Sequence, residues 1–377
     1  MPDNLAAGGL DTLERQFNSL VRQHEREVCH WARAIQADLY KEGIKIPLRD
    51  GQVCLTPSVL SEAEAAHITR SIAGVFNALS KVIATTFEND LARLVDFIRQ
   101  PRGGDELKMS QYRTLTRDWA MLARPDLAVL PSGIKIFETN AIPFLGHSPE
   151  GAVAAGAVMA VPALAEFLTS RACYRIDSIG RLAETLLRHF PVLQTDVLAV
   201  VEWASHLGAS PYVYRHLERG LARHGLRTVL TSLEDVSVEE SGLYVGDQRI
   251  DVVYRFFEAP PADQPHLARK YEAVLEAIYR GQAQAIGHIG QLLLTAKSLL
   301  AMISDPDASP QVEDRVRQCL PWTRILSESA TTYRGRKIDL LEWAADNREM
   351  LILKASLRGG GEGTVVGQDV PAGTWTM

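Results

Sequence analysis

Apolar residues recur at three- and four-residue spacing over residues 10–40, where Leu10, Leu13, Phe17, Leu20, Val21 and Val28 share one face and predict a long amphipathic helix. A second helical stretch is predicted over 61–97, opened by Ser61-Glu62-Ala63-Glu64, in which a hydroxyl and a carboxylate three residues apart form a capping-box pattern. The period then shortens. Leu127–Leu130 and Ile134–Phe137 read as two strands joined by a Pro131-Ser132-Gly133 turn. An alanine-rich helix over 150–168 and another over 178–188 follow.

The pattern changes again after Phe190-Pro191. Residues 196–201 are an apolar run of the kind buried in a parallel sheet. Residues 211–224 read as a helix closed by Gly225, and 227–231 as a second strand. A hairpin around Gly246-Asp247 leads into the strand Ile250–Tyr254. Strand–helix–strand at this spacing predicts a small α/β layer. Beyond Ala285 come a helix over 289–302 carrying Lys297, the motif Leu320-Pro321-Trp322-Thr323-Arg324, a helix over 338–347 and a terminal hairpin. The predicted fold class is α/β, or α+β in the wider sense. Residues 1–190 form a helical N-terminal region with a strand pair, 191–285 a small α/β domain, and 286–377 a third domain.

Composition narrows the classes. The chain has 377 residues, 46% of them hydrophobic, enough for two or three domains with real cores. A formal charge of −6 provides no bulk attraction to nucleic acid. Cys29, Cys54, Cys173 and Cys319 include no Cys-x-x-Cys pair, which argues against zinc and disulfide frameworks and fits a reducing cytoplasm. Met1-Pro2-Asp3-Asn4 lacks the basic-then-apolar pattern of a secretion signal, and the longest apolar stretch, 151–164, is too short to span a bilayer. The expectation is a cytoplasmic protein without membrane or nucleic-acid partners.

The terminal hairpin is the most informative stretch. Leu351–Lys354 and Thr364–Gly367 flank Arg358-Gly359-Gly360-Gly361-Glu362-Gly363. Glycines let backbone N–H groups approach a ligand, and Lys354 adds a positive charge beside them, which suits a polyphosphate as well as it suits an ordinary surface turn. It is not a Walker A loop, since no Lys-Ser or Lys-Thr follows the glycines. Glu138 and Asn140 end a strand on one face, and a carboxylate beside an amide oxygen suits a hard cation such as Mg²⁺. Arg117-Asp118 supplies a further base and acid upstream. Lys297 sits among leucines, either snorkelling to solvent or held for a phosphate. Arg255 ends a buried-looking strand, as a substrate-binding or a plain edge arginine would. His147-Ser148 and His288 lack a Gly-x-Ser-x-Gly elbow, so a hydrolase triad is not expected. The α/β layer has no Gly-x-Gly-x-x-Gly and does not read as a nicotinamide site.

Taken in order, these segments resemble the circularly permuted ATP-grasp superfamily, which includes glutathionylspermidine synthetase and eukaryotic glutathione synthetase. Arg117-Asp118, Phe137-Glu138-Thr139-Asn140, the unit ending Arg249–Arg255, Gly290–Lys297, and Leu353-Lys354 with the triple glycine carry it. The resemblance implies a Rossmann-like pre-ATP-grasp domain and a partial ATP-grasp domain, since family members continue well past the glycine loop. Unpaired sheet edges left by a partial domain favour self-association into a homo-oligomer. It implies Asp118, Glu138 and Asn140 as Mg²⁺ ligands, with Lys297, Lys354, Gly359, Gly360, Gly361 and Glu362 around ATP. Arg255 and Ser148 are implied to bind substrate, and Arg117 to be the catalytic arginine. The implied reaction is ATP-dependent ligation. A free or carrier-bound carboxylate attacks the γ-phosphate to give an acyl phosphate, which an amine converts to an amide. Two local departures stand out. The family separates its arginine and aspartate by one residue, so Arg113 competes with Arg117. Glutathione synthetase has a glutamate where this chain has Arg358, with Glu362 as the substitute.

Overall fold

The computed structural model describes residues 7–44, 59–98, 122–130, 133–142, 148–258, 260, 264–287, 289–358 and 361–375. The chain is a mixture of helices and several small sheets. Its internal contacts sort into two units, Met1–Glu64 with Pro143–Gly287, and Ala65–Ile142 with His288–Met377. Residues 1–190 are therefore shared between both units.

In chain order the strands are β1 (Arg124–Leu130), β2 (Gly133–Asn140), β3 (Val197–Glu202), β4 (Arg227–Ser232), β5 (Val236–Glu239), β6 (Gly242–Val245), β7 (Gln248–Ile250) and β8 (Val252–Arg255). They continue with β9 (Gln284–Ile286), β10 (Ala330–Tyr333), β11 (Arg336–Asp339), β12 (Ile352–Lys354) and β13 (Thr364–Val366).

In the first unit β4, β3, β8 and β9 form a parallel sheet in that order. Every residue of β3 is buried, which is why that segment reads as a continuous apolar run. The helix Pro211–Arg223 connects β3 to β4, and Pro265–Tyr279 connects β8 to β9. Parallel neighbours need such crossovers. The short strands β5, β6 and β7 form a separate antiparallel sheet. A helical cluster completes the unit, with Phe17, Val21, Val28, Ala157, Val158, Val161 and Leu164 as its core.

Three long helices predicted from periodicity are each broken. Residues 10–40 form Ala7–Gln23 and Glu25–Lys41, separated at His24, whose Nδ1 lies 2.9 Å from a Glu27 carboxylate oxygen. Residues 150–168 form Ser148–Ala160 and Pro162–Thr169. Pro162 forces Val161 into extended backbone, and the two pieces are bent by 96°. Residues 61–97 form Glu62–Thr86 and Leu91–Ile98, with Glu88 and Asn89 at positive φ between them. The expected capping box is present: Glu64 N–H donates to Ser61 Oγ at 3.1 Å, and Ser61 N–H to Glu64 Oε2 at 2.8 Å. No single helix among the described residues is long and apolar enough to cross a membrane.

The second unit is built on three antiparallel hairpins, β1–β2, β10–β11 and β12–β13. The free edge of β2 is covered, because Ile136 N–H donates to the Cys319 carbonyl at 2.7 Å and Lys135 Nζ to the Gln318 and Leu320 carbonyls. Arg324, from the Leu320–Arg324 motif, pairs with Asp305 at 3.2 Å and donates to Ser304 and Thr331, a structural role. Residues 289–302 are two short helices, Ile289–Leu293 and Lys297–Ser304, rather than one. Residues 338–347 likewise divide into the end of β11 and the helix Leu340–Asp346, capped by Asp339.

Candidate functional site

The site lies in the second unit and begins with an irregularity in β2. Asp126 pairs with Glu138 while Leu127 pairs with Ile136, leaving Phe137 as an extra residue in the ladder. Such a bulge shifts the phase of alternation. Ile134 and Ile136 are buried before it and Thr139 after it, so Glu138 faces away from the buried side. Strict alternation from Ile134 would have put Glu138 on the same face as the two isoleucines.

Thr139 fixes the neighbouring helix. Its hydroxyl, fully buried, donates to the Leu294 carbonyl at 2.6 Å, in the turn between Ile289–Leu293 and Lys297–Ser304. Ala296 is extended, which makes Lys297 the first residue of its helix instead of an interior one. That N-terminus is pinned from the other side. Lys297 N–H donates to the Ser356 carbonyl at 3.0 Å, and Ser356 Oγ donates to Ser298 Oγ at 2.9 Å.

Ser356 follows β12, so the same contacts bring in the glycine hairpin. Its strands pair as expected, Leu353 opposite Val365 and Lys354 opposite Thr364. Gly361 and Gly363 have φ of +82° and +67°, a region costly for side-chain-bearing residues. A Cβ on Gly363 would also meet Ala355 Cβ at 2.8 Å. Arg358 and Glu362 form an ion pair across the loop at 3.1 Å.

These elements bring three charges together. Lys354 Nζ donates to Glu138 Oε1 at 2.8 Å, and Lys297 Nζ lies 3.5 Å from the same oxygen. Lys297 Nζ also donates to the Arg358 carbonyl at 2.8 Å, at the entry to the glycines. Burial pushes the Glu138 carboxyl up, but the Lys354 hydrogen bond and the two lysine charges outweigh it and leave the group below the usual glutamate range. The side chains of Glu138, Lys297 and Lys354 retain 18%, 13% and 31% of their exposure, so they are sheltered yet reachable.

The structure thus brings together Glu138, Lys297, Lys354 and the Arg358 end of the loop, with Glu362 paired to Arg358. Asn140 ends the same strand as Glu138, two residues on. Arg255 lies in the first unit, where its guanidinium donates to the Gly287 and Phe257 carbonyls and is only 7% exposed. It ties the end of β8 to the residue after β9. Ser148 starts the helix Ser148–Ala160, also in the first unit. Arg117, Asp118, Gly359 and Gly360 lie outside the described residues, as do Arg113, His147 and His288. Among the described residues no group of three or more His, Cys, Asp or Glu side chains is arranged for a metal ion. Ser298, Ser356 and Thr139 hold the lysines and the loop in place. Nothing in their spacing marks them, because each acts through a contact distant in sequence.

No known family model matches this chain, and no curated protein matches it.

Proposed function

We propose that the chain is an ATP-dependent carboxylate–amine ligase of ATP-grasp type, joining a small or carrier-bound acid to an amine through an acyl phosphate. One observation carries the reading. Glu138, Lys297 and Lys354, far apart in sequence, meet beside a glycine hairpin. Phosphoryl transfer needs mainly positioning and charge stabilisation, which such a set supplies.

The charge balance fits a nucleotide and its metal. Two ammonium groups share one carboxylate, so each can exchange its contact for a partner of the same sign. Phosphate oxygens take Lys297 and Lys354, and a divalent cation takes Glu138. In this reading Mg²⁺ would be held by Glu138 and Asn140 with Asp118, and it would neutralise charge on the phosphates. Lys297 and Lys354 orient the phosphate chain, and the loop amides from Gly359 to Gly361 close over it. Glu362 is assigned to the same nucleotide-binding set, and Arg117 supplies transition-state charge. The resemblance assigns substrate binding to Arg255 and Ser148 of the first unit, where the Arg255 guanidinium is already engaged by the Gly287 and Phe257 carbonyls.

A second reading is a catalytically impaired nucleotide-binding or scaffold protein of the same fold. The Arg358–Glu362 pair favours it, since an arginine stands where a metal-binding glutamate is expected and occupies the substitute carboxylate. Hydroxylamine separates the two, because it traps acyl phosphates as hydroxamates. A panel of carboxylic acids with Mg-ATP and hydroxylamine should yield ADP and hydroxamate together for a subset of acids. Nucleotide binding with no ADP release from any acid favours the impaired reading. A melting temperature indifferent to Mg-ATP favours the scaffold.

A further inference from the structure

The first unit contains a cavity of about 450 Å³ that no part of the ligase reading uses. It lies where the helix Ser178–His189 crosses Pro211–Arg223, and the sequence explains the crossing. A Cβ on Gly220 would meet Ile179 at 2.7 Å, and a Cβ on Gly180 would meet His224 Cε1, at the end of the other helix, at 2.9 Å. Two glycines thus let the helices approach closely. His216, Gly220 and Arg223 fall at four- and three-residue spacing, so all three share the face turned to the cavity.

The charged side chains in the lining are two arginines against one aspartate. Arg175 and Arg223 are exposed at the rim, and neither forms a salt bridge among the described residues. Asp177 is the one acid in the lining, and it is already engaged. It caps its helix by accepting from Gly180 N–H at 3.0 Å, and it pairs with His224 Nε2 at 3.0 Å. His216 is only 4% exposed, lines the cavity, and its Nδ1 has no hydrogen-bond partner. A buried polar atom without a partner is costly unless a ligand or water meets it. Burial, then the charges of Arg223 and Arg175, push the His216 ring down to about 4, although Glu42 opposes the shift. The ring is therefore neutral at pH 7. Ile179 and the small residues Ala152 and Gly220 give the remaining wall an apolar surface.

We propose that this cavity binds a small organic anion whose phosphate or carboxylate head is held by Arg175 and Arg223, with His216 at its base. Guanidinium groups suit planar or tetrahedral oxyanions, and the apolar wall suits the carbon part of such a ligand.

The test uses the full chain, titrated with phenyl phosphate and separately with benzoate by calorimetry, while NMR follows the histidine ring signals. At least one anion should bind and move the His216 signals. The double variant Arg175→Ala/Arg223→Ala, which alters only exposed side chains, should bind it about tenfold or more weakly. Lys354→Ala, in the other unit, should bind it as the native chain does. Tighter binding of phenyl phosphate identifies a phosphorylated ligand, and tighter binding of benzoate a carboxylate. Equal affinity in the native chain and the double variant overturns the proposal. So does binding that leaves the His216 signals unmoved, or no binding of either anion.

Discussion

Glu138 shows how much one residue's setting decides. Alone it is a carboxylate at a strand end. With Lys297 and Lys354 on the same oxygen it becomes the centre of a charge cluster, and its ionisation is coupled to folding. Its pKa is lowered in the folded chain. Its contribution is therefore full above the ordinary glutamate range and fades as pH falls through the lowered folded value. Glu138→Gln should cost about 1–2 kcal/mol at neutral pH, the range for a sheltered but not fully buried pair. The native–variant difference should shrink towards zero on acidification, as denaturant unfolding at a series of pH values would show. A difference that persists unchanged at low pH would mean that the lysines do not stabilise the carboxylate.

At the scale of elements, close approach governs both the crossing helices and the glycine hairpin. Gly220 sits inside a helix, where alanine is intrinsically better by about 1 kcal/mol. Its missing Cβ is what admits Ile179, however, and overpacking of that kind costs about 1–3 kcal/mol. Gly220→Ala should therefore be net destabilising. Ile179→Ala in the same chain should restore part of the loss, giving a coupling energy in a double-mutant cycle. Simple additivity would show that the two helices do not meet at this pair. Element types were legible in the sequence because burial imposes its period on the chain: β3 is apolar throughout, and the β12–β13 hairpin announces itself by its glycines. Breaks within helices were less legible. Pro162 could have been read as one. The break before Lys297 could not, because it is held by Thr139, far away in the sequence. That break shapes the candidate site, since it turns Lys297 from a helix-interior lysine into the residue at the helix start.

For the whole molecule, the candidate site was only partly legible. Resemblance placed Glu138, Asn140, Lys297, Lys354 and the glycines in one site, but assigned Glu138 to a metal and the lysines to phosphates. The direct pairing of Glu138 with both lysines emerges only from the fold, as does the phase shift at Phe137 that frees Glu138 from the buried face. The cavity around His216 was missed altogether. Its one sequence signal, histidine, glycine and arginine along one helix face, gains meaning only when a second helix crosses at the glycine. The central claim concerns the charge cluster, and Mg-ATP calorimetry on the native chain and on Lys354→Ala tests it most directly. The account predicts that the native chain binds and that the variant, folded by circular dichroism, binds about tenfold or more weakly. Equal binding by both chains, or none by a folded native chain, would contradict a nucleotide site on the glycine hairpin.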